Sequence, residues 1–334
     1  MKNTIYCLCL GVWLLLGINP GVSIASESEL RILTTIKPLH SLAAAVTQDI
    51  ATPELLIENN SSPHLFQLKP SHIRAISEAD VILWAGPGVE AFMQPLIEKF
   101  ALDSKLIELA SLPGIARHAV RSEYRALSQS DESDSDNNQF DVAGHPDAAE
   151  SVVEQSELDY HLWLDPHNAK LLVHELAVQL GKLDPPNSER YRLNGERFKY
   201  QLFRTAIDID TQLLEYRRRP YLVFHDSFQY FEKAFGLGEP TVVALQPQVV
   251  PGAKRLKALR EEIAGRQLNC LFAEPQFRSP MVVAISKDLN LPILSLDPLG
   301  SGLAGGSTHY TRLLRNTAAV LAECFRLPAH SQSE

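Results

Sequence analysis

The sequence predicts an α/β protein whose parallel sheets are divided between two lobes, and three observations carry that expectation. Short apolar runs of strand length alternate with helical stretches along the chain, the pattern of parallel sheets with helices on both faces. About 309 residues remain beyond an N-terminal leader, more than one hydrophobic core usually serves. Between the two sets of runs lies one long amphipathic helix pattern, residues 187–217.

The first element is the leader, residues 1–25. Lys2, an apolar run over 5–18 and the small-residue exit Ser23-Ile24-Ala25 read as a secretory signal peptide, with the mature chain starting at Ser26. That apolar run is shorter than a bilayer span, and no later segment approaches the roughly 20 apolar residues a membrane helix needs. Export without stable membrane insertion follows. Cys7 and Cys9 sit inside the run rather than at its cleavage end, which argues against a lipid-modified cysteine. The formal net charge of -9 disfavours nucleic acid and anionic membranes as partners and is compatible with a cationic ligand.

An N-terminal lobe, 26–186, is expected to hold strands over 31–36, 54–57 and 81–84. One segment breaks its pattern, because 128–159 carries ten Asp or Glu residues and neither Lys nor Arg, the composition of a flexible acidic loop. His145 is its only histidine, so a metal-collecting role would rest on carboxylates, and a solvated loop is the simpler reading. The linking helix, 187–217, repeats Tyr191, Phe198, Leu202, Ile209, Leu213 and Tyr216 at spacings of seven, four and three. Asn187 or Ser188 can cap its start, Arg217 to Arg219 suit the negative end of its dipole, and Pro220 stops it.

The C-terminal lobe, 218–334, is expected to hold strands over 221–224, 241–245, 270–273 and 293–296. Cys270 and Cys324 are the two cysteines beyond the leader, and an even count in an exported chain favours a disulfide over two buried thiols. Closing a loop of about 55 residues would contribute roughly 4 kcal/mol in the chain-entropy account.

Three of the eleven histidines stand where a strand-like run gives way to a loop or helix: His64, His161 and His225. His64 follows Pro63 in a turn, His161 precedes Leu162-Trp163-Leu164, and His225 ends an apolar run. The carboxyl ends of strands are where open parallel sheets bind ligands. Asp297 ends the run 293–296 in the same way. Three imidazoles brought together would make a zinc site, but spacings of 97, 64 and 72 residues prove nothing by themselves. His40, His72, His167 and His309 read as packing or surface residues, and Glu274 as a carboxylate ordering its own loop. The glycines at 300, 302, 305 and 306 lack the G-x-x-x-x-G-K-[ST] arrangement of a phosphate loop and read as a flexible loop near the cleft.

Taken together, LTTIKPLHSLAAAV, SPHLFQLKPSHIRAISEADVILWAGPGVEAFM, HLWLDP, VFHDSFQYFEKAFG, LQPQVVPGAKRL, LFAEPQFRSP and LDPLG resemble, in this order, the zinc-specific periplasmic binding proteins of bacterial ABC importers. The resemblance runs through essentially the whole mature chain. It implies two βα lobes joined by one long rigid helix, with metal in the interlobe cleft, and a monomer that delivers Zn2+ as transported ligand to an inner-membrane permease driven by its ATPase. It implies no enzymatic activity. It places the ligands on His64, His161 and His225, with Asp297 as fourth ligand or a close neighbour.

Manganese- and iron-binding relatives typically carry glutamate at the position of His225, and an imidazole there suits zinc better. Two departures stand out. Many zinc members place an acidic residue where this chain has Pro63, and many carry a histidine-rich loop where this chain has the acidic segment. Other readings of the residues are the same fold serving manganese or iron, a zinc hydrolase, against which the lack of H-E-x-x-H argues, and an exported adhesin or zinc buffer without a transporter.

Overall fold

The computed structural model describes residues 30–58, 61–121, 158–244, 253–263, 266, 268–277 and 280–328. The leader and the acidic segment up to residue 157 lie outside them. Two four-stranded sheets, both wholly parallel, form the frame.

The first sheet contains β1 (Ile32–Thr34), β2 (Glu54–Leu55), β3 (Val81–Trp84) and β4 (Leu106–Glu108), in the order β2-β1-β3-β4. The second contains β5 (Leu222–His225), β6 (Thr241–Ala244), β7 (Leu271–Ala273) and β8 (Ile293–Ser295), in the order β6-β5-β7-β8. The two orders are the same, so each sheet reverses direction of growth between its first and third strands. In open parallel sheets ligands bind beyond the carboxyl ends of two such strands, within reach of backbone and side chains from both. β3 and β5 are buried at every residue, as continuous apolar runs in two-face-covered sheets should be.

Seven of the eight strands lie within or beside the apolar runs read from sequence. β4 was not among the expected strands: it is three residues long and only half buried, which gives it a weak apolar signature.

Between the sheets run α4 (Pro166–Leu183) and α5 (Ser188–Leu213), antiparallel neighbours joined by a turn at Pro185–Asn187; the preceding helices are α1 (Lys37–Val46), α2 (Pro70–Glu78) and α3 (Gln94–Phe100). α5 is the expected linking helix, shorter than its pattern at the carboxyl end, where Leu214–Tyr216 tightens into a 3-10 turn. The side-chain cap expected from Asn187 is not made. Its amide donates instead to Asp184 Oδ2 at 2.8 Å, which fixes the α4–α5 turn.

α5 buries Tyr191, Phe198, Leu202, Ile209 and Leu213 against α1, α4 and the last helix, α9 (His309–Arg326). One hydrophobic cluster runs from β1 through α5 to α9 without interruption, and a smaller one fills the far side of the second sheet around Leu222, Phe224, Leu259 and Ile285. A core shared across the two sheets ties them together. Cys270 and Cys324, both fully buried, are joined in a disulfide that pins the start of β7 to α9. The second sheet is flanked by α6 (Gln229–Ala234), α7 (Ala253–Ile263) and α8 (Pro280–Asp288).

Direct bonds also cross between the lobes. Trp163 Nε1 donates to the Pro298 carbonyl at 2.9 Å, and Lys37 Nζ donates to the carbonyls of Ser301 and Leu303 at 2.8 and 2.7 Å. No helix among the described residues is long and apolar enough to cross a membrane.

Candidate metal centre

His64 lies on a 3-10 turn, Pro63–Leu65, where the buried Pro63 opens the turn and fixes the backbone. The backbone of Gly88 accepts a hydrogen bond from its ring. Burial, reinforced by the neighbouring rings of His161 and His225, holds its pKa well below the ordinary imidazole value, so at neutral pH the ring is uncharged.

Gly86 and Gly88, which follow β3, let this loop lie against the ring of Tyr160. A Cβ on Gly88 would sit 2.2 Å from Tyr160 Cδ2, and Gly86 has φ +137, a region that L side chains rarely adopt. The loop is held from below by Glu90, a fully buried carboxylate that accepts from the amides of Ala85 at 2.7 Å and Gly86 at 3.2 Å and from the hydroxyl of Thr35. Thr35 and Ala85 follow β1 and β3, so Glu90 occupies the reversal point of the first sheet.

His161 opens the 3-10 turn Leu162–Leu164, which leads into α4 through Asp165, whose side chain accepts from the amide of His167. Asp159 Oδ1 accepts from the His161 amide at 3.0 Å and lies 2.8 Å from its Nδ1. Burial alone would lower the pKa of His161, but the Asp159 carboxylate outweighs it and the net direction is upward. Asp159 is in turn fixed by Gln229 Nε2, at 3.2 Å from Oδ2, and by Tyr230, whose hydroxyl donates to the Asp159 carbonyl at 2.7 Å. The expectation that the acidic segment is solvated as far as Asp159 is corrected at its end. Asp159 is buried and has left the loop for the site.

His225 is the last residue of β5, and Glu274 stands immediately beyond β7, its neighbour in the sheet. Nδ1 of His225 lies 2.8 Å from Glu274 Oε1, which also accepts from the hydroxyl of Ser227 at 2.6 Å. The pair straddles the reversal point of the second sheet.

These elements bring the three rings together. Their centroids are 5.6 Å apart for His64 and His161, 5.7 Å for His64 and His225, and 5.2 Å for His161 and His225. One ring nitrogen from each lies within 4.8 Å of the others, and this is the one such group found among the described residues. A carboxylate facing Nδ1 of two rings favours the tautomer with its proton there, in which Nε2 presents its lone pair to a metal, the arrangement that orients metal-binding imidazoles. Nitrogens at about 2.0 to 2.1 Å from a tetrahedral zinc stand about 3.4 Å apart, so the rings need move little more than an ångström to hold one.

Asp297 is placed differently. Its Oδ1 accepts from Gln276 Nε2 at 2.9 Å and from the Leu299 amide at 3.0 Å, and its Oδ2 accepts from the Ser301 amide at 2.6 Å. Both oxygens are thus committed to hydrogen bonds from its own loop and from Gln276, and the residue is outside the group of convergent ligand atoms.

The other histidines singled out in the sequence have local partners. His40 Nε2 lies 3.1 Å from the Pro53 carbonyl, His72 Nδ1 accepts from the Lys69 amide, and the rim residue His167 points to the Gly114 carbonyl. His309 is wholly buried between the carbonyls of Leu299 and Ala304, and burial pushes its pKa down to about 4. His145 lies outside the described residues.

Sequence reasoning missed Asp159 and gave Glu274 only a local role. The signal for the first was its spacing of two residues from His161. Only pairing of β5 with β7 reveals the second. Arg121 was missed as well: its guanidinium, buried, bridges Asp226 and Glu232 of the second lobe.

Known proteins resemble this chain along most of its length. Residues 32–324 match the family described as "Zinc-uptake complex component A periplasmic". The high-affinity zinc uptake system protein ZnuA of Brucella abortus (strain 2308) is 32% identical over 328 residues, covering 91% of this chain and 94% of that protein. ZnuA of Yersinia pestis is 32% identical over 298 residues, covering 88% and 91%. Among solved structures, a crystal structure of ZnuA aligns with TM-score 0.68 at 24% identity, covering 88% of this chain and 98% of that one. A Zn(II)-bound mutant variant of AdcAII from Streptococcus pneumoniae aligns with TM-score 0.69 at 21% identity, covering 88% and 97%.

Proposed function

The chain belongs to the family of periplasmic zinc-uptake components, and from that premise we propose that it captures Zn2+ with high affinity in the periplasm and delivers it to an ABC permease worked by a cytoplasmic ATPase. His64, His161 and His225 are the protein ligands, and water completes the sphere. Asp297 shapes the neighbouring loop without reaching the metal. The leader, 1–25, is removed on export, and the lobes 26–186 and 218–334 close on the metal about the linking segment 187–217. The chain acts as a carrier, and the metal is its cargo rather than a catalytic centre.

The observation that carries this reading is the convergence of three imidazoles, two of them backed by a buried carboxylate on the nitrogen that faces away. All three donors are neutral nitrogens, the set suited to zinc and poor for manganese, which prefers carboxylate and carbonyl oxygen. The same chemistry describes release, because a protonated imidazole cannot ligate, so affinity falls as the pH drops below about 6.5.

Competitive titration of metal-stripped mature protein against a calibrated chelator tests the reading, with zinc and manganese, on the wild type and on His225→Ala. One-to-one zinc binding, much weaker manganese binding and a loss of at least about 100-fold in the variant are expected. A preference for manganese, or an indifferent variant, overturns it.

A further inference from the structure

Residues 116–121 begin on the first lobe and end on the second. Asn168 of α4, fully buried, accepts from the Ala116 amide at 2.8 Å and donates to its carbonyl at 3.0 Å, and Arg117 donates to the carbonyls of Ala110 and Leu112 at 2.8 and 3.2 Å. Beyond that point the partners belong to α6 and the turn before it. The His118 amide donates to the Tyr230 hydroxyl at 3.0 Å, Gln229 Nε2 donates to the Ala119 carbonyl at 3.1 Å, and the Arg121 guanidinium bridges Asp226 and Glu232. The Arg121 side chain is 10% exposed, and those of Asp226 and Glu232 are 10% and 3% exposed, so these ion pairs are shielded from the water and salt that weaken surface pairs.

This strap touches the supports of two convergent histidines. The Asp159 amide donates to the His118 carbonyl at 2.9 Å, and the Asp159 carboxylate faces Nδ1 of His161. Asp226 directly follows His225, and the turn they share is closed by the Ser227 amide, which donates to the His225 carbonyl at 3.1 Å. Arg121 thus reaches from the stretch that supports His161 to the residue beside His225.

The second lobe is fastened to the first in two places. One is the loop after β8, where Trp163 and Lys37 donate to the carbonyls of Pro298, Ser301 and Leu303. In the strand order β6-β5-β7-β8 that loop stands on the β7 side of the pair formed by His225 and Glu274, whereas α6 leads from β5 to β6 on the other side. With the Arg121 bridge the two strands are held from both sides. Without it the neutral bonds of His118 and Ala119 remain, and charge-assisted bonds are roughly twice as strong as such bonds, so the second lobe is freer to turn about the attachment after β8.

We propose that Arg121 is a positioning residue for zinc binding: by gripping Asp226 and Glu232 from the first lobe, it fixes the separation of His225 from His64 and His161 at a width that one ion can span. The proposal rests on the zinc-carrier reading above. A purely electrostatic role for this cation would act with the opposite sign, because a positive charge near a cation site repels the ion and its removal would tighten binding. Loss of a strut loosens it.

Two measurements on the mature protein test this, one of them without metal. Spin labels on Glu98→Cys of α3 and Lys257→Cys of α7, both exposed, report the separation of the lobes in metal-stripped protein by double electron–electron resonance. Arg121→Gln should lengthen or broaden the distance distribution. Competitive titration against a chelator should find the zinc dissociation constant of Arg121→Gln raised at least about tenfold, the scale on which supports of metal ligands act. Arg121→Lys keeps the charge balance but offers a compact ammonium in place of the guanidinium fork, and should fall between the wild type and Arg121→Gln in both measurements. If Arg121→Gln does not fold, Arg121→Lys decides alone.

An unchanged distance distribution overturns the proposal, as does zinc affinity that is equal to the wild type's or tighter. Wild-type protein that fails to bind zinc sinks the carrier reading and with it the zinc role of Arg121, an outcome told apart from loss of the strut because the lobe separation is read without metal.

Discussion

Nδ1 of His225 and Oε1 of Glu274 lie 2.8 Å apart at the carboxyl ends of two adjacent strands, and Nδ1 of His161 stands at the same distance from Asp159. The two lobes use the same device, a buried carboxylate that can accept a hydrogen bond from one ring nitrogen and leave the other to face the site. His64 has the backbone of Gly88 in that role. Removing such a partner typically costs ten- to 100-fold in metal affinity. Glu274→Ala and Asp159→Ala should each weaken zinc binding by that factor, with far-UV circular dichroism unchanged. A loss below about threefold in both would show that the ring orientations are set without them.

Asp297 separates the two possible roles of a carboxylate near the cleft. It accepts hydrogen bonds from Leu299, Ser301 and Gln276, all within its own loop or beside it. Asp297→Ala should therefore lower the unfolding free energy by about 1 to 3 kcal/mol, the cost of leaving buried donors unmatched, while changing zinc affinity less than about tenfold. A loss of 100-fold or more with unaltered stability would make Asp297 a ligand.

Much of this fold was legible in the sequence, because apolar runs of strand length and a seven-four-three pattern are direct consequences of burial. β4 escaped since its three residues alternate between buried and half-buried positions. The three convergent histidines could be named from motifs, but their hydrogen-bond partners could not. Glu274 meets His225 only because β5 pairs with β7, and Asp159 was hidden at the end of an acidic stretch whose composition reads as solvated. The Asn187 cap is not made because its Oδ1 accepts from Arg190 instead of a helix amide, a side-chain contact that the helix pattern does not show.

Glu90 gives the stability of the metal-free protein a pH dependence of unusual sign. Burial raises its pKa from 4.5 to about 7. The folded state thus holds this proton more tightly than the unfolded state does, so its contribution is full below about pH 4.5 and declines as the pH rises towards 7, by roughly 3 kcal/mol in all. Glu232 is also raised to about 7 by burial and adds a decline of the same sign. Glu90→Gln keeps an acceptor for the amides of Ala85 and Gly86 and supplies a donor towards Thr35, imitating the protonated acid. Urea unfolding at pH 5 and pH 8 should find the variant the more stable of the two proteins at pH 8 by about 1 to 3 kcal/mol, with a shallower slope. An unchanged slope would mean that Glu90 stays ionised in the fold.

The Cys270–Cys324 bond closes a separation of 54 residues and anchors β7 to α9. Constraint of the unfolded chain alone gives about 4 kcal/mol. The double replacement Cys270→Ala/Cys324→Ala should lower stability by about 2 to 5 kcal/mol, measured by urea unfolding against the oxidised wild type. Zinc stoichiometry should remain one to one, since neither sulfur approaches the histidines. Equal stability with and without reductant would indicate that the bond is absent in solution.

Gly88 stands between two of the convergent histidines. Its backbone accepts from His64, and a side chain on it would meet the ring of Tyr160, the residue before His161. A methyl group there would stand 2.2 Å from the Tyr160 ring, far inside van der Waals distance, so either the loop or the ring must move. Movement of the loop draws the acceptor from His64, and movement of the ring displaces His161. Gly88→Ala should thus weaken zinc binding at least tenfold although glycine touches no metal. Trimming the obstacle in Gly88→Ala/Tyr160→Ala should recover part of that loss, so the two substitutions will be non-additive, as expected for residues in contact. Strict additivity of the two losses would show that Tyr160 does not transmit the strain and would place the effect on the His64 side alone.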